Sequence, residues 1–181
     1  MREHGVLRRV MYLYDEAAVR LDGQGEVPRD ALAAGAGMIR RVIEDYHEKL
    51  EEELLFPRFE RAGKLVELTA VLRKQHQVGR TLTDEVVALV RAPAAQLDRA
   101  RLAAVLRQFN HMYRAHAARE DTVLFPEIRA LLGGKAYAEL GEQFEDREKQ
   151  VLGERGFERA VAEVAKLEEA FGVADLAKLT A

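Results

Sequence analysis

His47-Glu48-Lys49-Leu50-Glu51-Glu52-Glu53-Leu54-Leu55-Phe56-Pro57 returns, 69 residues later, as His116-Ala117-Ala118-Arg119-Glu120-Asp121-Thr122-Val123-Leu124-Phe125-Pro126. Both spell H-x3-E-x3-L-F-P. Successive residues of an α-helix lie ~100° apart, so a histidine and a glutamate four residues apart sit ~40° apart on one face. With His116 at zero, Leu102, Val105, Phe109, Met112, Tyr113, Glu120 and Val123 fall within roughly 60° of it. Around His47 the same holds for Ala36, Ile43, Leu50, Glu51 and Leu54. In each repeat a polar pair therefore points with an apolar stripe, toward a core.

Two more histidines behave alike. His76 shares a stripe with Leu65, Leu72, Thr83, Val87 and Val90, and His4 shares one with Leu7, Met11 and Ala18. Punctuation cuts the chain accordingly. A first helix is expected over residues 2–21, ending at Asp22-Gly23-Gln24-Gly25. A second starts at Pro28, where a missing N–H costs little, and reaches residue 56 or 61, with Pro57 as a kink or end. A third spans 65–90. A fourth follows Ala92-Pro93-Ala94-Ala95, is capped by Asp98, and stops near Leu132 before Gly133-Gly134. Two shorter helices, 136–152 and 157–171, complete the chain. The fold class is all-α: an up-down four-helix bundle over residues 1–132. Residues 133–181 form a C-terminal helical extension packed on the same domain, over one side or end of the bundle or against a second subunit.

Composition agrees and excludes. Within 181 residues there are four prolines, and Ala, Leu, Glu and Arg, all strong helix formers, dominate. Zero cysteines remove disulfides, thiolate zinc sites and iron–sulfur clusters. A net charge of −3 gives no basic field for nucleic acid. No apolar run approaches the ~20 residues of a membrane span, and the first residues lack a signal-peptide pattern. A cytoplasmic protein with no membrane partner and a possible homo-oligomeric state is expected.

The chemistry lies in the set His4, His47, Glu51, His76, His116 and Glu120. A lone core histidine is usually packed and hydrogen-bonded, and an isolated i,i+4 pair is usually an exposed helix pair. A buried glutamate without a partner is costly, and here two pairs in matching contexts face the core. Imidazole and carboxylate together suit iron. Two octahedral metals offer about twelve positions. Four histidines, two bridging glutamates and one bridging oxygen fill about ten, leaving about two open for a small ligand. The expected cofactor is two iron ions, carboxylate-bridged in an Fe–O–Fe unit.

These residues, with L-F-P after both H-x3-E units, resemble the hemerythrin HHE cation-binding family. Glu3-His4, Gln75-His76, Gly79-Arg80 and the tail Gly153-Glu154-Arg155-Gly156-Phe157-Glu158 resemble it too. The resemblance implies a hemerythrin-type bundle with a non-haem diiron centre bridged by two glutamates. Oxygen carriers have H-x3-H on the third helix, where Arg80 stands four after His76 here, and H-x4-D on the fourth, where the core-facing pair here ends in Glu120, four after His116. That departure points away from oxygen carriage, toward binding, sensing or reduction of O2, peroxide or NO. In some members the residue after the second-helix histidine also binds metal; Glu48, ~100° from His47, reads rather as a solvated edge residue. Tyr14, Tyr46 and Tyr113 read as core packing, and His111, ~140° from the His116 face, as no ligand.

Two other readings stand beside the oxidant-binding one. One is a non-enzymatic iron sensor or store, in which loading orders the bundle for a partner. The other is a metal-free interaction module, which requires the buried glutamates to be protonated or paired with Arg40, Arg73 or Arg80.

Overall fold

Strong helix formers and 3.6-residue apolar stripes dictate long helices, and the computed structural model has little else. It describes residues 2–179, and among them every regular element is helical. Helix α1 is Glu3–Asp22 and α2 runs over residues 29–62. Helix α3 is Val66–Arg91. Helix α4 runs over residues 99–132, with Asp98 accepting a hydrogen bond from the Arg101 backbone N–H at 2.9 Å. Gly133, at φ 70° and ψ 174°, breaks the helix there, a backbone conformation open to glycine and strained for other residues. Helix α5 continues over residues 134–152, and α6 is Gly156–Phe171.

Pro57 neither ends nor sharply stops α2. The helix runs on to Ala62, and the turn before the proline opens into a π-helical stretch, Glu51–Leu55, in which the Phe56 N–H bonds to the Glu51 carbonyl. The second repeat does the same: Glu120–Leu124 is π-helical and the Phe125 N–H bonds to the Glu120 carbonyl. A proline ring clashes with the carbonyl four residues back, here that of Glu53 or Thr122. Closing the turn at i+5 makes room for it. A further π stretch, Ile39–His47, precedes the first repeat. The L-F-P ending thus places a wide turn at each glutamate, and such turns cluster at functional sites.

The apolar core is divided along the helix axes. The larger cluster includes Leu7, Met11, Ile43, Leu82, Phe109, Tyr113 and Ala117. A smaller one holds Leu55, Phe56, Phe59, Leu72, Leu124, Ile128 and Leu140. Where one cluster gives way to the other along α2, α3 and α4 stand His47 and Glu51, His76, and His116 and Glu120.

Helix α6 joins the larger cluster through Ala160, Val164, Leu167 and Phe171 and packs on α1 and the start of α2. Helix α5 is lightly held. Its single buried side chain is Leu140, and Arg147 pairs with Glu53 at 2.5 Å. Glu148 of α5 pairs with Arg2, whose guanidinium lies 4.4 Å from the Phe157 ring centre. The two added helices therefore clamp the chain just before His4. Among the described residues no helix is long and apolar enough to cross a membrane.

Candidate metal centre

His4 comes from the first turn of α1, His47 and Glu51 from α2, His76 from α3, and His116 and Glu120 from α4. All six are buried, with Glu51, His76 and Glu120 at 0% exposure. The structure brings together every residue singled out from the sequence. The Nε2 atoms of His4 and His47 lie 3.0 Å apart. His116 Nε2 is 2.9 Å from Glu120 Oε1, and His76 Nε2 is 3.9 Å from that oxygen. The other Glu120 oxygen, Oε2, is 3.3 Å from His4 Nε2. Glu51 repeats the arrangement: Oε1 lies 3.6 Å from His47 Nε2 and Oε2 lies 3.5 Å from His76 Nε2. Each carboxylate offers one oxygen to each histidine pair.

The outward nitrogens are held by residues that helical position alone did not single out. His4 Nδ1 is 2.8 Å from Asp121 Oδ1, His76 Nδ1 is 3.0 Å from Glu52 Oε1, and His116 Nδ1 is 3.0 Å from Gln75 Oε1. These oxygens accept, so each Nδ1 carries a hydrogen and each Nε2 is turned inward. Such partners fix the tautomer and orientation of metal-binding imidazoles. His47 has a weaker counterpart, with Glu3 Oε2 3.9 Å from its Nδ1. A signal for two of them was present in the repeat: an acid follows each core glutamate, Glu52 after Glu51 and Asp121 after Glu120. Asp121 also pairs with Arg8, and Glu52 with Arg80 at 2.8 Å.

Glu48 is not a solvated edge residue; it is 1% exposed. It is covered by side chains of the two neighbouring helices, Tyr113 of α4 and Arg80 of α3. The Tyr113 hydroxyl donates to Glu48 Oε1 at 2.6 Å, and Arg80 lies 2.9 Å from Oε2. Glu48, Glu52 and His76 thus form a third group beside the other two. Tyr113 reaches Glu48 across Gly79, where a Cβ atom would stand 1.9 Å from the hydroxyl. Tyr14 is core packing, its ring 5.2 Å from Phe109, and His111 is exposed. Arg40 pairs with Glu44 at 2.7 Å and Arg73 with Glu60 at 3.0 Å. None of Arg40, Arg73 and Arg80 serves Glu51 or Glu120, which leaves the metal-free reading to protonated glutamates.

The electrostatics suit a bound cation. Burial, then the neighbouring Glu120 charge, pushes the Glu51 carboxyl well above its usual range. Burial also opposes ionisation of Glu120, but contacts from His116, His4 and His76 outweigh it and hold this carboxyl well below the usual range. Burial and the nearby His4 keep His47 neutral. Burial would lower His76 as well, yet Glu120, Glu51 and Glu52 around it drive it up to about 11. Both oxygens of Glu51 and of Glu120, together with His76 Nε2, lack hydrogen-bond partners. Unpartnered buried carboxylates cost several kcal/mol as a rule. The donor set of imidazole nitrogens and carboxylate oxygens fits a first-row transition metal.

A further consequence concerns Glu44, buried next to the site. Burial raises its carboxyl to about 7 against the opposing Thr83 hydrogen bond. The folded chain then binds a proton that the unfolded chain releases. Stability is therefore highest below the ordinary carboxylate value and falls as pH rises to about 7. In metal-free protein, Glu44→Gln is expected to remove about 2 kcal/mol of the stability change between pH 5 and 7. Urea titrations at stepped pH read it; an unchanged slope refutes the assignment.

A four-helix bundle with four histidines and two glutamates converging in its interior is the architecture of a metal-binding helical protein. The family model for the hemerythrin HHE cation-binding domain matches residues 1–128, and the chain belongs to that family. Uncharacterized proteins of Mycobacterium bovis and Mycobacterium tuberculosis are 46% identical to it over 182 residues, covering 99% of this chain and 71% of theirs. No solved structure matches.

Proposed function

We propose that His4, His47, Glu51, His76, His116 and Glu120 hold two iron ions and that the centre binds, senses or reduces a small oxidant such as O2, peroxide or NO. The observation that carries this reading is the division of both carboxylates. Glu51 and Glu120 each turn one oxygen to the His4–His47 pair and one toward the His76–His116 side. Carboxylates divided in this way would each be able to serve two metal ions. When bound, the irons supply Lewis acidity and reversible one-electron chemistry. The chain's part is to aim the four Nε2 atoms inward through Asp121, Glu52, Gln75 and Glu3. The apolar cluster of Leu55, Phe56 and Leu124 on one side excludes water.

His47→Ala and His116→Ala are each expected to cut bound iron from about two per chain to one or fewer. Metal analysis and the visible charge-transfer spectrum of protein from iron-supplemented cells read this. Retention of two irons by both variants rejects the assignment. The sensor reading draws on the same unpartnered carboxylates, because they tie loading to stability. Multiple-turnover loss of peroxide or NO favours the reactive centre; metal-dependent folding without turnover favours the sensor.

A further inference from the structure

A cavity of about 240 Å³ lies under α5, lined by Leu55, Phe125, Ile128, Tyr137, Leu140 and Phe144. Its lining is hydrocarbon apart from the Tyr137 hydroxyl. Phe125 connects it to the metal centre: its ring centre lies 5.7 Å from that of His4 and 6.4 Å from that of His47. Leu55, on another wall, closes the wide turn that starts at Glu51. One side ring thus separates an apolar void from the His4–His47 pair.

Gly141 completes the wall. It sits inside α5, where glycine weakens a helix relative to alanine. No close packing requires it, because an added Cβ would meet nothing within 4 Å. Gly141 is exposed and stands with Tyr137 at the mouth of the cavity, where a larger side chain would have room to cover it. Helix α5 itself is pinned by one buried leucine and by ion pairs, so the cover over the cavity is light.

We propose that this cavity binds small uncharged apolar molecules of diatomic-gas size and feeds them past Phe125 to the His4–His47 side of the centre. Enclosed apolar cavities of comparable size accept xenon or benzene, and this one, open at the edge formed by Tyr137 and Gly141, offers the same kind of hydrocarbon wall. The lining offers almost nothing to a polar or charged guest. A second, larger groove touches His116, but it reaches the residue beside Gln75 and carries Glu67 and Arg119. Gln75 occupies the histidine's Nδ1 there, so that groove meets the edge turned away from the metals. The proposal rests on reading the centre as one that takes a small oxidant.

The first test is crystals of the full-length protein pressurised with xenon. A xenon site among Leu55, Phe125, Ile128 and Leu140, abolished in Gly141→Leu, is expected. No xenon there in the native protein, or undiminished xenon in Gly141→Leu, overturns the binding site. The second test is stopped-flow NO association with iron-loaded protein of checked metal content. Gly141→Leu should slow association at least five-fold, and Phe125→Leu should quicken it at least two-fold, with the equilibrium affinity unchanged in both. Val71→Phe, which fills the other groove, should leave the rate as it was. An unchanged rate in Gly141→Leu, or slowing in Val71→Phe instead, overturns the feeding role. If native iron-loaded protein binds no NO at all, the proposed function and the feeding role fall together. The xenon result then decides the cavity separately.

Discussion

Glu51→Gln is expected to make the metal-free protein more stable while destroying its capacity for metal. Glu51 is fully buried with no hydrogen-bond partner for either oxygen, and burial beside Glu120 holds its carboxyl well above the usual range. The folded chain must therefore keep a proton on Glu51 or bear an uncompensated charge. As pH rises above the ordinary carboxylate value, the unfolded chain gives up that proton freely and the folded one does not, so native stability falls. The amide removes this penalty. At pH 8 the chelator-treated variant should gain about 1–3 kcal/mol, the cost of an unsatisfied buried polar group, and the gain should vanish near pH 4. The amide also lacks the anionic oxygens turned to His47 and His76, so bound iron should drop to one or fewer per chain. Thermal denaturation at both pH values with metal analysis reads both halves. A variant that is destabilised at pH 8 and still holds two irons would sink the argument.

Gly79→Ala is expected to cost about 3 kcal/mol or more, beyond ordinary overpacking. Its Cβ would stand 1.9 Å from the Tyr113 hydroxyl oxygen and 2.7 Å from the ring carbon that bears it. The ring has little freedom to retreat: it is 1% exposed and packs 4.4 Å from Phe109 and 5.4 Å from His116, centre to centre. Any retreat also breaks the hydrogen bond to Glu48 and leaves that carboxylate to Arg80 alone. For a chain of this size the loss corresponds to a fall in Tm of roughly 6–12 °C. Gly79→Ala combined with Tyr113→Leu should recover a large part of it, since the clash goes with the ring. Full stability in the single variant, or no recovery in the double, would refute the close approach.

The repeat itself fixed more than the fold class. Helix ends fell within a residue or two of glycine, proline and Asp98, because these residues set φ, remove a donor or satisfy one locally. The six core-facing donors were legible for a similar reason: a carboxylate on an apolar stripe has no other inexpensive explanation. Glu48 was misplaced because what covers it, Tyr113 of α4 and Arg80 of α3, comes from other helices. The outward partners Asp121, Glu52 and Gln75 were missed because each serves a histidine on another helix. That depends on the crossing and register of two helices, which no single-helix pattern contains.

The position of the tail was equally undecided from the chain. An amphipathic helix states that one face must be buried, not against what. Packing alone chose to seat Val164, Leu167 and Phe171 of α6 in the main core, and to leave α5 as a light cover over the cavity. Sequence by itself determined the helices, their buried faces and the donor set, because these follow from local geometry and the cost of burying charge. Tertiary structure decided which oxygen faces which nitrogen, which side chains cover Glu48 and where space stays unfilled. Those outcomes are set by contacts between helices distant in the chain.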